Sequence, residues 1–316
     1  MMTVLSAPTS RVTAQAAHTL KLAVDLDFVM SSLGSAGIEA LAFNGPTLAA
    51  LAYSALDREA SGDLDVIVRP RDQHAALEVL IGVGFRSKHE GQLDVLQPGD
   101  NEVSLVFAGR AELDLHWALS PVYFVDFDLE GAFARSQTVH LMRRTFRTLG
   151  NEDFFLGLAI HHTRHCRNRS SHVVDVVRLI NSIPIDWDAL YALASVTGAQ
   201  RIRDLAVLLA ASSCPHTIPV TIMSRIEGDA KVRRIGMQMY CWRAGAIIDV
   251  VGTLRGAWLQ SQLVDSMRGR MRYLSRRAAI ANSRDVVRRP DAPLPRIPNW
   301  IRRPLKQLRR VLINGS

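Results

Sequence analysis

Cysteine is scarce in this 316-residue chain: Cys166, Cys214 and Cys241 are its only three. An odd number with no C-x-x-C spacing excludes a disulfide framework and a four-cysteine zinc site. Long apolar runs are missing too. The longest, Leu205 to Cys214, is about half of what a bilayer span requires. Met1 to Ser10 has no basic start followed by an apolar stretch, so no secretory leader is expected. A reducing, cytoplasmic compartment is therefore the expectation. No internal repeat and no RNA-binding motif appears.

What is present describes a globular protein. Hydrophobic residues make up 48% and charged residues 22%, which excludes disordered and fibrous classes. The length suits one large domain or two modest ones, with a core large enough to need no staples. The net charge of +8 is unevenly distributed. From Arg268 to Ser316 there are 14 basic and 2 acidic residues, so the preceding body is mildly acidic. The charge belongs to a tail.

Val12, Ala16, Leu20, Val24 and Phe28 recur every four positions and predict an opening helix. Ile38 to Phe43 reads as a strand that ends in Asn44-Gly45-Pro46 turn chemistry, and Thr47 to Leu56 as helix. Leu64 to Val68 is β-branched and interleaved with acids. Arg71 to Val83 is helical, with Gly84 as its cap. Val103 to Phe107 and Glu112 to Trp117 read as paired strands. Beyond Thr148 no strand is expected. Asn151-Glu152-Asp153 caps a helix, and Val173–Ile180, Trp187–Val196, Arg201–Ala211 and Ile235–Leu254 continue the helical pattern. The layout is an α/β domain over 1–148 and a helical domain over 149–289. A proline linker and amphipathic tail over 290–316 follow, with Ile301, Leu305, Leu308 and Leu312 on one face.

The most informative stretch is Gly62-Asp63-Leu64-Asp65-Val66-Ile67-Val68. Carboxylates two residues apart on a strand share a face, where they repel unless a cation joins them. Mg²⁺ prefers such carboxylates together with substrate phosphates. A third acid, Asp114, lies on the Glu112–Trp117 strand and can converge on the same cluster. The turn at Asn44-Gly45 followed by a helix is a phosphate-cradle shape. A strand–turn–helix, a D-x-D strand and a further acidic strand, in that order, describe a nucleotidyltransferase core. His116, on the strand of Asp114, is expected to turn to the opposite face and hydrogen-bond in the core.

These segments resemble the uncharacterised bacterial nucleotidyltransferases of the DNA polymerase β-like superfamily. The matching residues are Asn44-Gly45, Arg58, Gly62 to Val68, Gly84-Phe85, Asp114-Leu115-His116-Trp117, His161, His165 and Asp175 to Ile180. The resemblance implies an α+β fold: a polymerase-β-like core, a small mixed sheet with helices, followed by an all-helical domain. It implies Asp63, Asp65 and Asp114 as catalytic residues holding Mg²⁺ or Mn²⁺, and a nucleoside triphosphate as substrate. Asn44, Gly45, Thr47, Arg58, Gly62, His161 and His165 are the implied nucleotide-binding residues. An acceptor of unknown identity would attack the α-phosphorus, and biosynthesis of natural products or polysaccharides is the implied setting.

Two residues depart from the family pattern. Asn44 stands where the family has lysine, and Pro46 removes one amide donor from the cradle. Thr47 and Arg58 are candidates to compensate. The departures support a second expectation, a degenerate nucleotidyltransferase-fold protein that binds a ligand, peptide or partner without transfer. His161 and His165 share a helix face and could ligate zinc, but no Glu follows His161 as a metalloprotease requires. Packing the helical domain or contacting nucleotide is the expected role. The basic tail is a candidate contact for anionic membrane, RNA or an acidic protein.

Overall fold

The computed structural model describes residues 7–53, 63–97, 99–121, 123–141, 143–165, 170–214, 218–241 and 257–279. Arg58, Gly62, Cys166, the proline linker and the amphipathic tail lie outside the described residues. Among the described residues no helix is long and apolar enough to cross a membrane.

The chain folds as a mixed α+β structure around a seven-stranded sheet. Its elements begin with α1 (Ala7–Ser35), β1 (Ala40–Phe43), α2 (Gly45–Ala52), β2 (Asp63–Val68) and α3 (Gln73–Gly82). Then come β3 (Arg86–Ser87), β4 (Glu102–Val106), β5 (Glu112–His116), α4 (Leu129–Ala134), β6 (Gln137–Leu141) and β7 (Arg144–Thr148). The helices α5 (Asn151–His165), α6 (Ser170–Ser182), α7 (Trp187–Thr197) and α8 (Gln200–Ser213) follow. The described chain ends with α9 (Val220–Glu227), α10 (Ala230–Cys241), a short helical stretch at 257–263 and helix Met267–Ala279. Strand order is β3-β4-β5-β2-β1-β7-β6. The β2–β5 and β1–β7 pairs run parallel and the remaining pairs antiparallel.

Alternation along the strands gives the sheet two unlike faces. On one, Leu64, Val66 and Val68 of β2, Val103 and Leu105 of β4, and Leu113 and Leu115 of β5 pack beneath α1 and α3. The buried stripe of α1 is Leu22, Leu26, Val29 and Leu33, whereas Leu20 and Val24 are exposed. The every-four series predicts the helix, and its Phe28 packs partly buried against this core. A helix turns every 3.6 residues, so a strict spacing of four drifts around it and the core follows mixed spacings of three and four.

On the other face, Leu41, Phe43 and Ile67 join α2, α5 and the C-terminal helices in a continuous apolar cluster reaching Leu205, Ile226 and Tyr273. The helices α5 to α8 fall where the sequence places them, with ends shifted by a few residues; α10 overlaps the start of the expected Ile235–Leu254 helix, whose remainder lies outside the described residues. The β6–β7 hairpin and α9 are additional. Thr138-Val139-His140-Leu141 does alternate, but β6 is the edge strand and the outward residues of both strands are polar. Helix α5 starts at Asn151 as expected. Arg135 clamps the buried Asp153 with two hydrogen bonds of 2.8 and 2.9 Å, which compensates the cost of burying that carboxylate.

Gly84 closes α3 with a φ of +110°, and a Cβ there would meet the Phe107 ring at 3.0 Å. Gly84→Ala is expected to lower unfolding stability by about 1–3 kcal/mol, read by urea denaturation, with most of the cost in backbone strain.

Candidate functional site

The polar residues of the second sheet face gather where four strands lie side by side. Alternation that sends Leu113 and Leu115 into the core sends Asp114 and His116 together to the opposite face. The same rule places Asp63 and Asp65 there from β2, and Glu102 and Ser104 from β4. Register completes the arrangement: Asp65 pairs directly with Asp114, Ser104 with Asp114, and Glu102 with His116. Two carboxylates facing each other across a parallel pair repel, so the site needs a compensating cation.

His116 supplies one. Its Nε2 lies 2.7 Å from Asp65 Oδ1, with both side chains almost fully buried. Its Nδ1 is 3.3 Å from Glu102 Oε2, close enough for charge attraction though not aligned as a hydrogen bond. The expected opposite orientation of His116 is therefore corrected: residues two apart on a strand share a face, and His116 shares that of Asp114. The expected burial and hydrogen bonding hold.

Electrostatics follow from these contacts. Burial opposes ionisation of Asp65, but the His116 hydrogen bond and charge, helped by His161, outweigh it and hold this carboxyl below its ordinary range. Burial likewise disfavours a charged His116, yet Asp65, Glu102 and Asp114 raise its pKa. Asp114 goes the other way. Its burial, reinforced by the charges of Asp65 and Glu102, pushes it up to about 6 against the opposing His116 charge and Ser104 hydrogen bond. The two acids that face each other thus shift in opposite directions, Asp65 down and Asp114 up.

The turn after β1 borders this cluster. Asn44 has φ +49° and ψ −149°, and among the described residues it is the only non-glycine with positive φ. That region is nearly reserved for glycine and costs about 1–3 kcal/mol. The strained backbone brings Asn44 Nδ2 to 3.2 Å from Asp65 Oδ2. Gly45 follows at φ +39°, and Pro46 opens α2, where a missing amide hydrogen is tolerated. Thr47 is fully buried, and its hydroxyl donates to the Asn44 carbonyl at 2.6 Å, fixing the turn.

His161 lies on α5 with its ring edge-on to Phe43 at 6.2 Å, and its charge reaches Asp65. His165 is at the end of the same helix, and its side chain lies outside the described residues. The neighbouring His162 turns away and stacks on His172, with ring centroids 4.1 Å apart and planes at 6°. Asp175 accepts a 2.6 Å hydrogen bond from the Tyr53 hydroxyl at the foot of α2. The sequence analysis missed Glu102 and Ser104. Their signal was the alternation in Glu102-Val103-Ser104-Leu105, which leaves two polar groups facing the acids.

Among the described residues no group of three or more His, Cys, Asp and Glu side chains is arranged to hold a metal ion. Both oxygens of Asp65 already face protein partners, His116 and Asn44. At one point the donor chemistry does fit a hard divalent cation: Asp114 Oδ1 is buried without a hydrogen-bond partner.

A family model described as uncharacterised nucleotidyltransferase matches residues 2–214. The chain belongs to that family. As a member it is a transferase of the nucleotidyl class. Its solved structural neighbours include the lincosamide antibiotic adenylyltransferase LnuA, bound to lincomycin, at 12% identity and a TM-score of 0.36, covering 50% of this chain and 96% of that one. ANT(2″)-Ia in complex with adenylyl-2″-tobramycin matches at 12% identity and 0.37, covering 58% and 96%. An antigenic nucleotidyltransferase-like protein from Paracoccidioides brasiliensis matches at 14% and 0.40, covering 69% and 94%. No curated protein matches the chain.

The raised Asp114 pKa sets a pH dependence. The folded state keeps this proton up to about pH 6, whereas the unfolded chain releases it near 3.8. Folding therefore takes up a proton between these values, and the stability gained is present below them and lost as pH rises through 6. Asp114→Asn is expected to raise the melting temperature at neutral pH in chelator, by on the order of 2 kcal/mol of stability, and to flatten the pH 4–6 dependence. Differential scanning calorimetry across that range checks it.

Proposed function

We propose that this protein transfers a nucleoside monophosphate from a nucleoside triphosphate to a hydroxyl or amine acceptor at the Asp63–Asp65–Asp114 face. The observation that carries the reading is the direct cross-strand pairing of Asp65 with Asp114 beside the strained Asn44-Gly45 turn. A buried, like-charged pair is costly to keep, and family membership gives it a chemistry to serve.

In this reading the acceptor's hydroxyl oxygen or amine nitrogen attacks the α-phosphorus. A new bond forms there, the bond to the bridging oxygen breaks, and pyrophosphate leaves. Asp114 receives the acceptor's proton, a role suited to a carboxylate that burial pushes up to about 6. The start of α2, with its partial positive charge, faces the triphosphate, and His161 contributes a donor from α5. Asp63, Asp65 and Asp114 are the residues that would hold Mg²⁺ or Mn²⁺, which supplies charge neutralisation of the triphosphate. Positioning and charge compensation account for most of the catalysis of phosphoryl transfer.

The engagement of both Asp65 oxygens favours a second reading, in which the same face binds a ligand without transfer. Isothermal calorimetry with ATP, CTP, GTP and UTP in Mg²⁺ is expected to show binding of at least one nucleotide. Asp65→Asn is expected to weaken it by about a hundredfold. Radiolabel from that α-phosphate should then appear in an acceptor from cell extract. Binding without incorporation selects the second reading; no Mg²⁺-dependent nucleotide binding removes the transferase reading.

A further inference from the structure

A chain of buried polar contacts crosses four strands at right angles to them. It begins at the start of β4, where Nδ2 of the preceding Asn101 donates to Glu102 Oε2 at 3.0 Å. Asn101 is itself anchored: its carbonyl accepts from the amides of Trp117 and Ala118, and its side chain donates to the Ala118 carbonyl. Glu102 Oε2 then faces His116 Nδ1, His116 Nε2 meets Asp65 Oδ1, and Asp65 Oδ2 receives Asn44 Nδ2. The sheet does not need this chain for cohesion. Backbone ladders already pair the four strands, and the opposite face is wholly apolar.

Buried ionic groups are seldom a net gain in stability over apolar residues of similar volume. Here they do something apolar residues could not: they fix which way the Asp65 carboxylate points. A carboxylate rotates easily about its last bond, and only donors on both oxygens stop it. His116 holds one oxygen and Asn44 the other. Glu102 attracts the Nδ1 side of the imidazole, and a flipped ring would turn carbon toward it and lose the Nε2 contact with Asp65.

We propose that Glu102 and His116 are positioning residues for nucleotidyl transfer, acting through Asp65: Glu102 sets the imidazole and the imidazole sets the carboxylate. This rests on the reading of the site given above. Neither residue touches the reacting atoms, and the outer member of the chain, Glu102, has its side chain partly exposed at 18%. It can therefore be changed with less damage to the core than His116.

The test uses the full chain with ¹³C-carboxyl-labelled aspartate, the Asp65 resonance being assigned by its loss in Asp65→Asn. Glu102→Ala is expected to shift the Asp65 carboxyl resonance and to weaken Mg²⁺-dependent nucleotide binding by about tenfold or more. Glu102→Gln, which still offers an oxygen to His116, is expected to restore part of both. His116→Phe should reproduce the Glu102→Ala resonance shift if it folds, and the Glu102 pair decides the matter if it does not. An Asp65 resonance unmoved in folded Glu102→Ala overturns the proposal, as does equal loss in Glu102→Gln and Glu102→Ala. If the wild type binds no nucleotide, the transferase reading fails, and the resonance then decides the positioning chain alone.

Discussion

A carboxylate withdrawn from water survives as an anion only beside a partner that replaces the water. In this protein the contact between Asp65 and His116 is that partnership, at 2.7 Å with both groups buried. Much of the site depends on it. His116 carries the charge that lets Asp65 ionise, moderates the repulsion between Asp65 and Asp114, and links both to Glu102 on the next strand. Without it, three acids on one face of a sheet would compete for protons and push the strands apart.

The sheet accommodates such a cluster because its two faces divide the labour. Leu64, Val66, Leu113 and Leu115 provide apolar burial against α1 and α3, and their alternate neighbours are thereby released to carry charge. The same division explains the strain at Asn44. The chain must turn sharply out of β1 to start α2, and the side chain at the turn reaches Asp65 while Thr47 ties the turn from within. Backbone strain, a buried ion pair and an unpartnered Asp114 oxygen are concentrated in one place. Local rules are commonly violated where chemistry is done.

Several features were legible in the residues because they depend only on periodicity. The acidic strands, the turn at Asn44-Gly45 and the helices after Thr148 follow from alternation, turn chemistry and 3.6-residue repeats. Spacing marks α1 as a helix but not its buried stripe, which runs through Leu22, Leu26, Val29 and Leu33. His116 was misassigned by a parity error: Asp114 and His116 are two apart, and a period of two keeps them together. The β6–β7 hairpin was hidden because strands whose outward residues are polar give a weak hydrophobic signal.

By itself the sequence determined the chemistry on offer: three acids in two alternating strands, an asparagine–glycine turn, and a basic segment set apart from an acidic body. Those are properties of neighbours along the chain. Only the tertiary structure decided which strand lies beside which, and so that Asp65 faces Asp114, that Glu102 reaches His116, and that one acid is held below its ordinary range while the other rises to about 6. The reason is physical. Strand order and register set the distances and dielectric between charges far apart in sequence, and pKa values answer to those, not to spacing along the chain.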